Sequence, residues 1–439
     1  MGLAPGNKHH GAPNTMMEQI VAFGKSGLTL HLPDGPRYEV LRAHSVDAIP
    51  NPRAALDAAL DTPIGSPSLS ALAAGKKTAA ISVCDITRPA PNRQTLPPIL
   101  ERLHAAGMKA EDITICIATG LHREATGVEL DTILGPEIAA RYPIFNHDAK
   151  ILSDHRYLGD TERGTPVWIA KRFLDADLHI TLGFIEQHLM LGFSGGRKLI
   201  APGLAAQETI KVIHSPRFMR EALAVEGSID NNPIHADLLE IARKAGHHFM
   251  LDVTLTQSRE ISGIFAGNAV EAHAAGVAFM RRTSVEHVPQ YVDAAITSAA
   301  GLPLDLTFYQ TVKGVTAVQH IVKPGGKILI LSECSEGVGS PEFSEKVASY
   351  KGAQSFLDEI KDTPVVPDQW QLEKLALVAL KHPVTFYVPG IRPEELGSLG
   401  KDSFASADKA IDDLLSGLPP KASIAILPDG PYACARVSS

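Results

Sequence analysis

The sequence predicts an α/β protein built from two domains with mostly parallel sheets and an active site in the cleft between them. Three observations predict it. At 439 residues the chain is longer than a single hydrophobic core usually grows. Apolar runs of buried-strand type alternate with helical patterns at the spacing of βαβ units. That alternation restarts around residues 280–291, MRRTSVEHVPQY. The expected division is a flexible tail over 1–15, an N-terminal domain over 16–282 and a C-terminal domain over 283–439.

The elements follow in order. Residues 19–32 form a hairpin around Gly24-Lys25-Ser26-Gly27. Asn51 caps a short Ala-rich helix whose first turn carries Pro52. Lys77–Cys84 reads as a buried strand, and a helix over Leu96–Ala106 shows apolar Ile99, Leu100 and Leu103. Asp112–Ala118 is a second buried strand, Gly127–Arg141 a helix, and Leu178–Phe184 a third strand. A helix over Pro233–Ala245 and a strand over His248–Thr256 close the first domain. In the second, strand Val292–Ser298, helix Thr307–Ile321, the Pro324-Gly325-Gly326 turn and strand Lys327–Ser332 make one βαβ unit. Helices over 341–361 and 367–381 and strands Val384–Tyr387 and Ser423–Leu427 complete it.

Composition narrows the partners. A formal net charge of −8 and the lack of any basic run argue against nucleic acid or an anionic membrane. No apolar stretch is long enough to span a bilayer, and the N-terminus lacks an apolar signal core. The four cysteines, Cys84, Cys116, Cys334 and Cys434, are scattered without CxxC spacing, which fits a reducing, cytoplasmic compartment.

In open α/β sheets ligands bind beyond the carboxyl ends of strands. Those ends carry Asp85-Ile86-Thr87-Arg88, then Thr119-Gly120-Leu121-His122-Arg123, then Glu186, Gln187 and His188. After strand 292–298 come Pro303-Leu304-Asp305 and Tyr309-Gln310-Thr311-Val312-Lys313. Each taken alone has an ordinary explanation. Asp85, Thr87 or Asp305 can cap a helix, and a lone loop histidine is more often satisfied than catalytic. Histidines after two strands, with a lysine and a third histidine nearby, raise an acid–base site above that explanation.

The densest stretch is Gly183–Pro216. It holds His188, Ser194, Gly195, Gly196, Arg197, Lys198 and His214. The glycine pair permits a tight turn that comes close to a ligand, and its backbone amides can cradle an anion. Lys198 can serve as a point charge or, desolvated, as a nucleophile. GxGxxG after a strand, GxxxxGK[ST], GxSxG and HExxH are all absent, which argues against a dinucleotide fold, a P-loop and a nucleophile elbow.

Together these residues resemble the nickel-pincer lactate racemases and their wider group of 2-hydroxyacid racemases and epimerases. The resemblance rests on DITRP at 85–89, TGLHR at 119–123, HLMLGFSGGRK at 188–198 with His214, and PLDLTFYQTVKG at 303–314. DQWQ at 368–371 and SECSEGVGSPEF at 332–343 add to it in the second domain. It implies a covalently tethered pyridinium-3,5-bisthiocarboxylic acid mononucleotide that binds nickel through one carbon and two sulfurs. It implies Lys198 as the tether, His214 as nickel ligand, and His122 and His188 as paired acid/bases. Arg88, Gln310 and Lys313 match residues that contact substrate or cofactor, and Asp85 and Tyr309 match the cofactor side. Gly195-Gly196 and Lys313 are both candidates for holding the cofactor phosphate. The implied activity is inversion of C2 of a lactate-like 2-hydroxyacid through a 2-keto acid, by proton-coupled hydride transfer. Hydride transfer needs an acceptor that side chains cannot supply, and histidine suits a base whose role reverses with direction. The implied partners are a small 2-hydroxyacid and the enzymes that mature the cofactor.

Two other readings compete. His122, His188 and His214 can instead converge on zinc in a hydrolase or lyase. Alternatively, the chain keeps only an anion-binding loop and no catalysis.

Overall fold

The computed structural model describes residues 16–42 and 46–438; the tail expected over 1–15 lies outside them. Two sheets organise two lobes. The first has six strands in the order Ile261–Gly267, Phe249–Leu255, Leu178–Phe184, Ala79–Cys84, Ile113–Ala118, Ile144–Asn146. All of its pairs are parallel except the edge strand Ile261–Gly267. The second has five parallel strands in the order Val384–Tyr387, Val322–Leu331, Val292–Ser298, Ser423–Leu427, Arg37–Val40.

The mostly parallel α/β architecture therefore stands. Strands Ala79–Cys84 and Leu178–Phe184 are buried at every position, as helix cover on both faces requires. Asn51 accepts from the amide of Ala54 and so starts the helix Pro52–Asp61.

Several elements differ from expectation. The helix expected over Gly127–Arg141 is two, Val128–Leu134 and Pro136–Arg141. Gly135 between them has φ 88°, and Pro136 lacks the amide that a continuous helix needs. The segment 341–361 likewise splits into Pro341–Ala348 and Ala353–Glu359, broken at Gly352 with φ 143°. Residues 17–40, expected within the first domain, sit with the second sheet. The hairpin Met17–Val21/Leu28–Leu32 packs its Val21, Leu30 and Leu32 into an apolar cluster with Ile296, Leu329 and Ile424, and Arg37–Val40 pairs with Ser423–Leu427.

Each sheet reverses its winding beside its first central strand. In the first sheet the chain steps from Ala79–Cys84 to Ile113–Ala118 on one side and later to Leu178–Phe184 on the other. In the second it steps from Val292–Ser298 to Val322–Leu331, and later to Ser423–Leu427. Such switch points leave a crevice at the carboxyl ends of the strands.

Candidate active site

A cavity of about 270 Å³ lies at these strand ends and draws its walls from both lobes. Every site residue that the family resemblance implies lines it except Gly196: His122, His188, Lys198, His214, Asp85, Arg88, Gly195, Tyr309, Gln310 and Lys313; Thr87, Arg123, Gln187, Arg197 and Asp305 do not. The fold thus gathers four separated motifs into one space.

His122 and Asp85 form a pair. His122 Nδ1 lies 2.7 Å from Asp85 Oδ2. An ionised carboxylate only accepts, so Nδ1 carries the proton and Nε2 is left with a free lone pair. Thr87 Oγ1 donates to the other oxygen, Oδ1, at 2.7 Å, and Arg88 Nη1 donates to the Thr87 hydroxyl at 3.3 Å. Asp85 is only 5% exposed. Burial alone would push its carboxyl up, but the hydrogen bond and charge of His122 outweigh that and hold it below the usual carboxylate range. Asp85, expected on the cofactor side, therefore also orients the His122 ring.

His188 has a different environment. Burial, then the charges of Lys198, Lys313 and Arg88, drive its imidazolium form far below the ordinary range. The ring is neutral at physiological pH. The Met190 amide points at Nδ1 from 3.4 Å, which places the ring proton on Nε2. The two histidines thus hold opposite tautomers, one ready to accept at Nε2 and the other ready to donate there.

Lys198 lies on a short 3₁₀ turn, Gly196–Leu199. Burial, Arg88 and Lys313 push its ammonium down to about 7, against an opposing pull from Glu186. A lysine that spends much of its time neutral at pH 7 is a nucleophile. Burial and Arg88 lower Lys313 to about 8.

His214 closes the helix Gln207–Ile213. Its Nδ1–H donates to the Ile210 carbonyl at 2.8 Å, so Nε2 holds a lone pair. Burial pushes the imidazolium down to about 4. A carbonyl fixing one ring nitrogen while the other stays free is how proteins preset a metal-ligating imidazole. Trp370, from the second lobe, packs with its ring centroid 4.3 Å from that of His214. Among the described residues no three His, Cys, Asp or Glu side chains come together as a metal site. The zinc reading, which needs His122, His188 and His214 to converge, is therefore not supported. One preset imidazole beside a nucleophilic amine instead fits a metal whose other donors arrive on a tethered organic group.

The glycine pair departs in part from the role expected of it: Gly195 lines the cavity and Gly196 does not. The Gly196 amide donates to Asp252 Oδ2 at 2.7 Å, so it is not available to a phosphate. A Cβ on Gly195, at φ 91°, would stand 2.2 Å from the same carboxylate oxygen. The close approach is thus to a buried side chain beneath the turn. Burial lifts the Asp252 carboxyl to about 7. Arg197, from the same stretch, is fully buried; it donates to the Phe193 carbonyl at 3.0 Å, and its Nη1 lies 2.9 Å from His273 Nε2.

Asp252 escaped sequence reasoning, although a lone acid within the apolar run FMLDVTL marks it. Lys150 also lines the cavity and escaped it, while Glu342 lines it and was visible only within the 332–343 motif. Asp368 and Trp370, visible only as part of a motif, gain definite places. Asp368 sits at φ 66° and accepts from Ser340 Oγ at 2.7 Å. Trp370 Nε1 donates to Tyr309 Oη at 3.2 Å, and Gln371 Nε2 donates to the Tyr309 carbonyl at 2.8 Å.

Comparison with known proteins agrees over nearly the whole chain. Residues 23–226 match the family described as lactate racemase N-terminal domain, and residues 287–433 match lactate racemase C-terminal domain. The lactate racemase of Thermoanaerobacterium thermosaccharolyticum is 34% identical over 419 residues, covering 93% of this chain and 97% of that protein. The lactate racemase of Lactiplantibacillus plantarum is 35% identical over 379 residues, 85% and 89% of the two chains. The solved apoprotein of the Thermoanaerobacterium enzyme superposes with a TM-score of 0.89 at 32% identity, covering 96% of this chain and all of that one.

Proposed function

The chain belongs to the lactate racemase family, whose named members are isomerases, and from that premise we propose that it inverts C2 of a 2-hydroxycarboxylic acid, lactate being the first candidate. The observation that carries the reading is the pair of histidines in one cavity with opposite tautomers, His122 held by Asp85 and His188 kept neutral by burial and cations.

Inversion needs a group to take the hydroxyl proton from one enantiomer and a group to return it for the other. His122 Nε2 accepts that proton, and Asp85 stabilises the imidazolium formed. His188 Nε2–H meets the carbonyl oxygen of the 2-keto acid after its carbonyl face has turned, and uptake of one proton at Nδ1, matching the one His122 has taken, lets it release the Nε2 proton to that oxygen and remain a neutral imidazole with Nε2 free. In the reverse direction the two exchange roles. The Arg88 fork suits the substrate carboxylate, with Gln310 and Lys313 as further polar contacts along the cavity wall. Walls drawn from both lobes reduce the water around the keto acid.

When bound, a nickel-pincer pyridinium mononucleotide would supply the hydride acceptor that side chains lack. Lys198 is the residue that would carry it, His214 Nε2 would ligate its nickel, and Lys313 is the cation suited to its phosphate. Enzymes that build such a group are the partners this reading calls for. The four cysteines are all buried and unpaired, which supports a reducing, cytoplasmic setting. Among the described residues no helix is long and apolar enough to cross a membrane.

The test is to produce the chain together with cofactor-maturation enzymes. Intact mass should show an adduct that maps to Lys198 and disappears in Lys198→Arg, with stoichiometric nickel in the unsubstituted protein. Chiral chromatography on a panel of pure 2-hydroxyacid enantiomers should show each converted to a racemic mixture for at least one acid. An unmodified Lys198 and no conversion of any acid would refute the proposal.

A further inference from the structure

Successive turns of the helix Gln369–Ala379 have separate tasks on one side of it. Trp370 and Gln371 look into the cavity. Glu373 and Lys374, on the next turn, are outside it and equally buried, at 0% and 5% exposure. Both reach across to the first lobe. Lys374 Nζ donates to the carbonyls of Met219 and Ala224, each at 2.7 Å. Arg220 Nε, between those two residues in the chain, donates to Glu373 Oε1 at 2.7 Å. Arg220 Nη2 also donates to the Leu357 carbonyl of the second lobe at 2.6 Å. A few residues on, the Glu226 carbonyl accepts from Arg436 near the chain's end. The gripped segment begins just after His214. Trp370, carried by the same helix, enters the first lobe's apolar cluster with Ile210 and Ile213 and lies tilted at 40° against His214.

Burying an ammonium and a carboxylate here is costly, and one Glu373 oxygen, Oε2, has no partner. Apolar residues would hold two surfaces together at least as well. Charged groups differ in one respect: they are well hydrated when the surfaces part. Such a contact can therefore separate and re-form, as a site that admits substrate between two lobes must do. The chain crosses between the lobes at two places, between Arg37–Val40 and Pro52–Asp61 and between Glu271–Ser284 and Val292–Ser298. The ionic contact provides a third, non-covalent tie.

We propose that Lys374 and the Arg220–Glu373 pair are positioning residues: a reversible latch that closes the second lobe on the first and thereby sets Trp370 against His214. What the latch serves rests on the racemase reading above; that it closes the lobes does not.

The chain has two tryptophans, so Trp168→Phe leaves Trp370 as the sole indole reporter. In that background Lys374→Met removes both donors at similar length. The variant is expected to stay folded by circular dichroism while acrylamide quenching of Trp370 rises at least threefold. In cofactor-loaded enzyme kcat/KM is expected to fall at least tenfold. A Trp370 that stays shielded overturns the latch. Opened lobes with kcat/KM within twofold of the parent overturn its positioning role. Should Lys374→Met not fold, Arg220→Gln replaces it, since that side chain sits at a partly open edge, 29% exposed, and the same two readouts decide. Quenching needs neither substrate nor cofactor, so an inactive parent enzyme would count against the racemase reading and leave the latch result standing.

Discussion

Asp85→Asn is the substitution that most directly tests the acid–base pair. Asparagine keeps the volume and one acceptor. Thr87 Oγ1 donates to Oδ1, and its own oxygen is engaged by Arg88, so the amide oxygen should settle on the Thr87 side. That leaves the amide NH₂ facing His122 Nδ1, which must then accept, and the ring proton moves to Nε2. Two losses result. A charge-assisted hydrogen bond to the developing imidazolium is worth about 1.5–3 kcal/mol, or roughly 10- to 150-fold in rate. The wrong tautomer adds to this, and in the Ser-His-Asp triad the equivalent replacement costs about 10⁴. A fall in kcat/KM of about 10³ is expected, midway between these limits. The assay is racemisation of each pure enantiomer at pH 7.5, with Lys198 loading measured on the same samples by intact mass. Because the two enantiomers have equal free energy, kcat/KM must fall equally in both directions. A variant with normal loading and kcat/KM within threefold of the parent would refute the proposal that Asp85 sets the tautomer of His122.

Two other predictions concern the scaffold. Gly195→Ala combines a backbone conformation reserved for glycine with a Cβ 2.2 Å from Asp252 Oδ2, and should cost at least about 2 kcal/mol; urea unfolding would show it, and an unchanged midpoint would mean that the turn is not held by Asp252. Stability should also fall on acidification through the buried histidines. His147 and His247 are lowered by burial to about 3 and about 4, so below pH 6.5 the unfolded chain binds protons that the folded chain does not. Their contribution is thus intact above pH 6.5 and declines as the pH falls toward 4, by up to about 1.4 kcal/mol per pH unit per group. Thermal melting between pH 7.5 and 4.5 checks it, and a flat melting temperature over that range would contradict it.

The sequence made the strand ends legible because buried parallel strands are written as short apolar runs, and the polar residues just after each run stand out. DITR after Ala79–Cys84 and TGLHR after Ile113–Ala118 could be read that way. The reading failed where a residue's partner lies far along the chain. Gly195-Gly196 looked like an anion cradle because the carboxylate that fills the space, Asp252, is on a different strand. The burial of Arg197 was hidden in the same way, since the His273 that meets it comes from a later helix. Strand Arg37–Val40 gave no hint that its neighbour is Ser423–Leu427. The misjudged helix over 127–141 is a different kind of error, since Gly135-Pro136 was in view and local sterics alone predict the break.

That pairing of Arg37–Val40 with Ser423–Leu427 bears on how the chain is made. Domains usually fold in the order in which they leave the ribosome. Here residues 17–40, made before the six-stranded lobe, belong to the lobe completed after it. The six-stranded lobe, contiguous between Pro52–Asp61 and Glu271–Ser284, can assemble while the hairpin and the strand after it wait for partners that appear only near the C-terminus. Dissecting the chain at the lobe junction would therefore not give two equal modules. The C-terminal piece would lack its edge strand and leave the backbone of Ser423–Leu427 open along one side, an aggregation-prone edge. Supplying residues 16–42 in trans, as a strand-donating peptide, is the natural way to make that piece soluble.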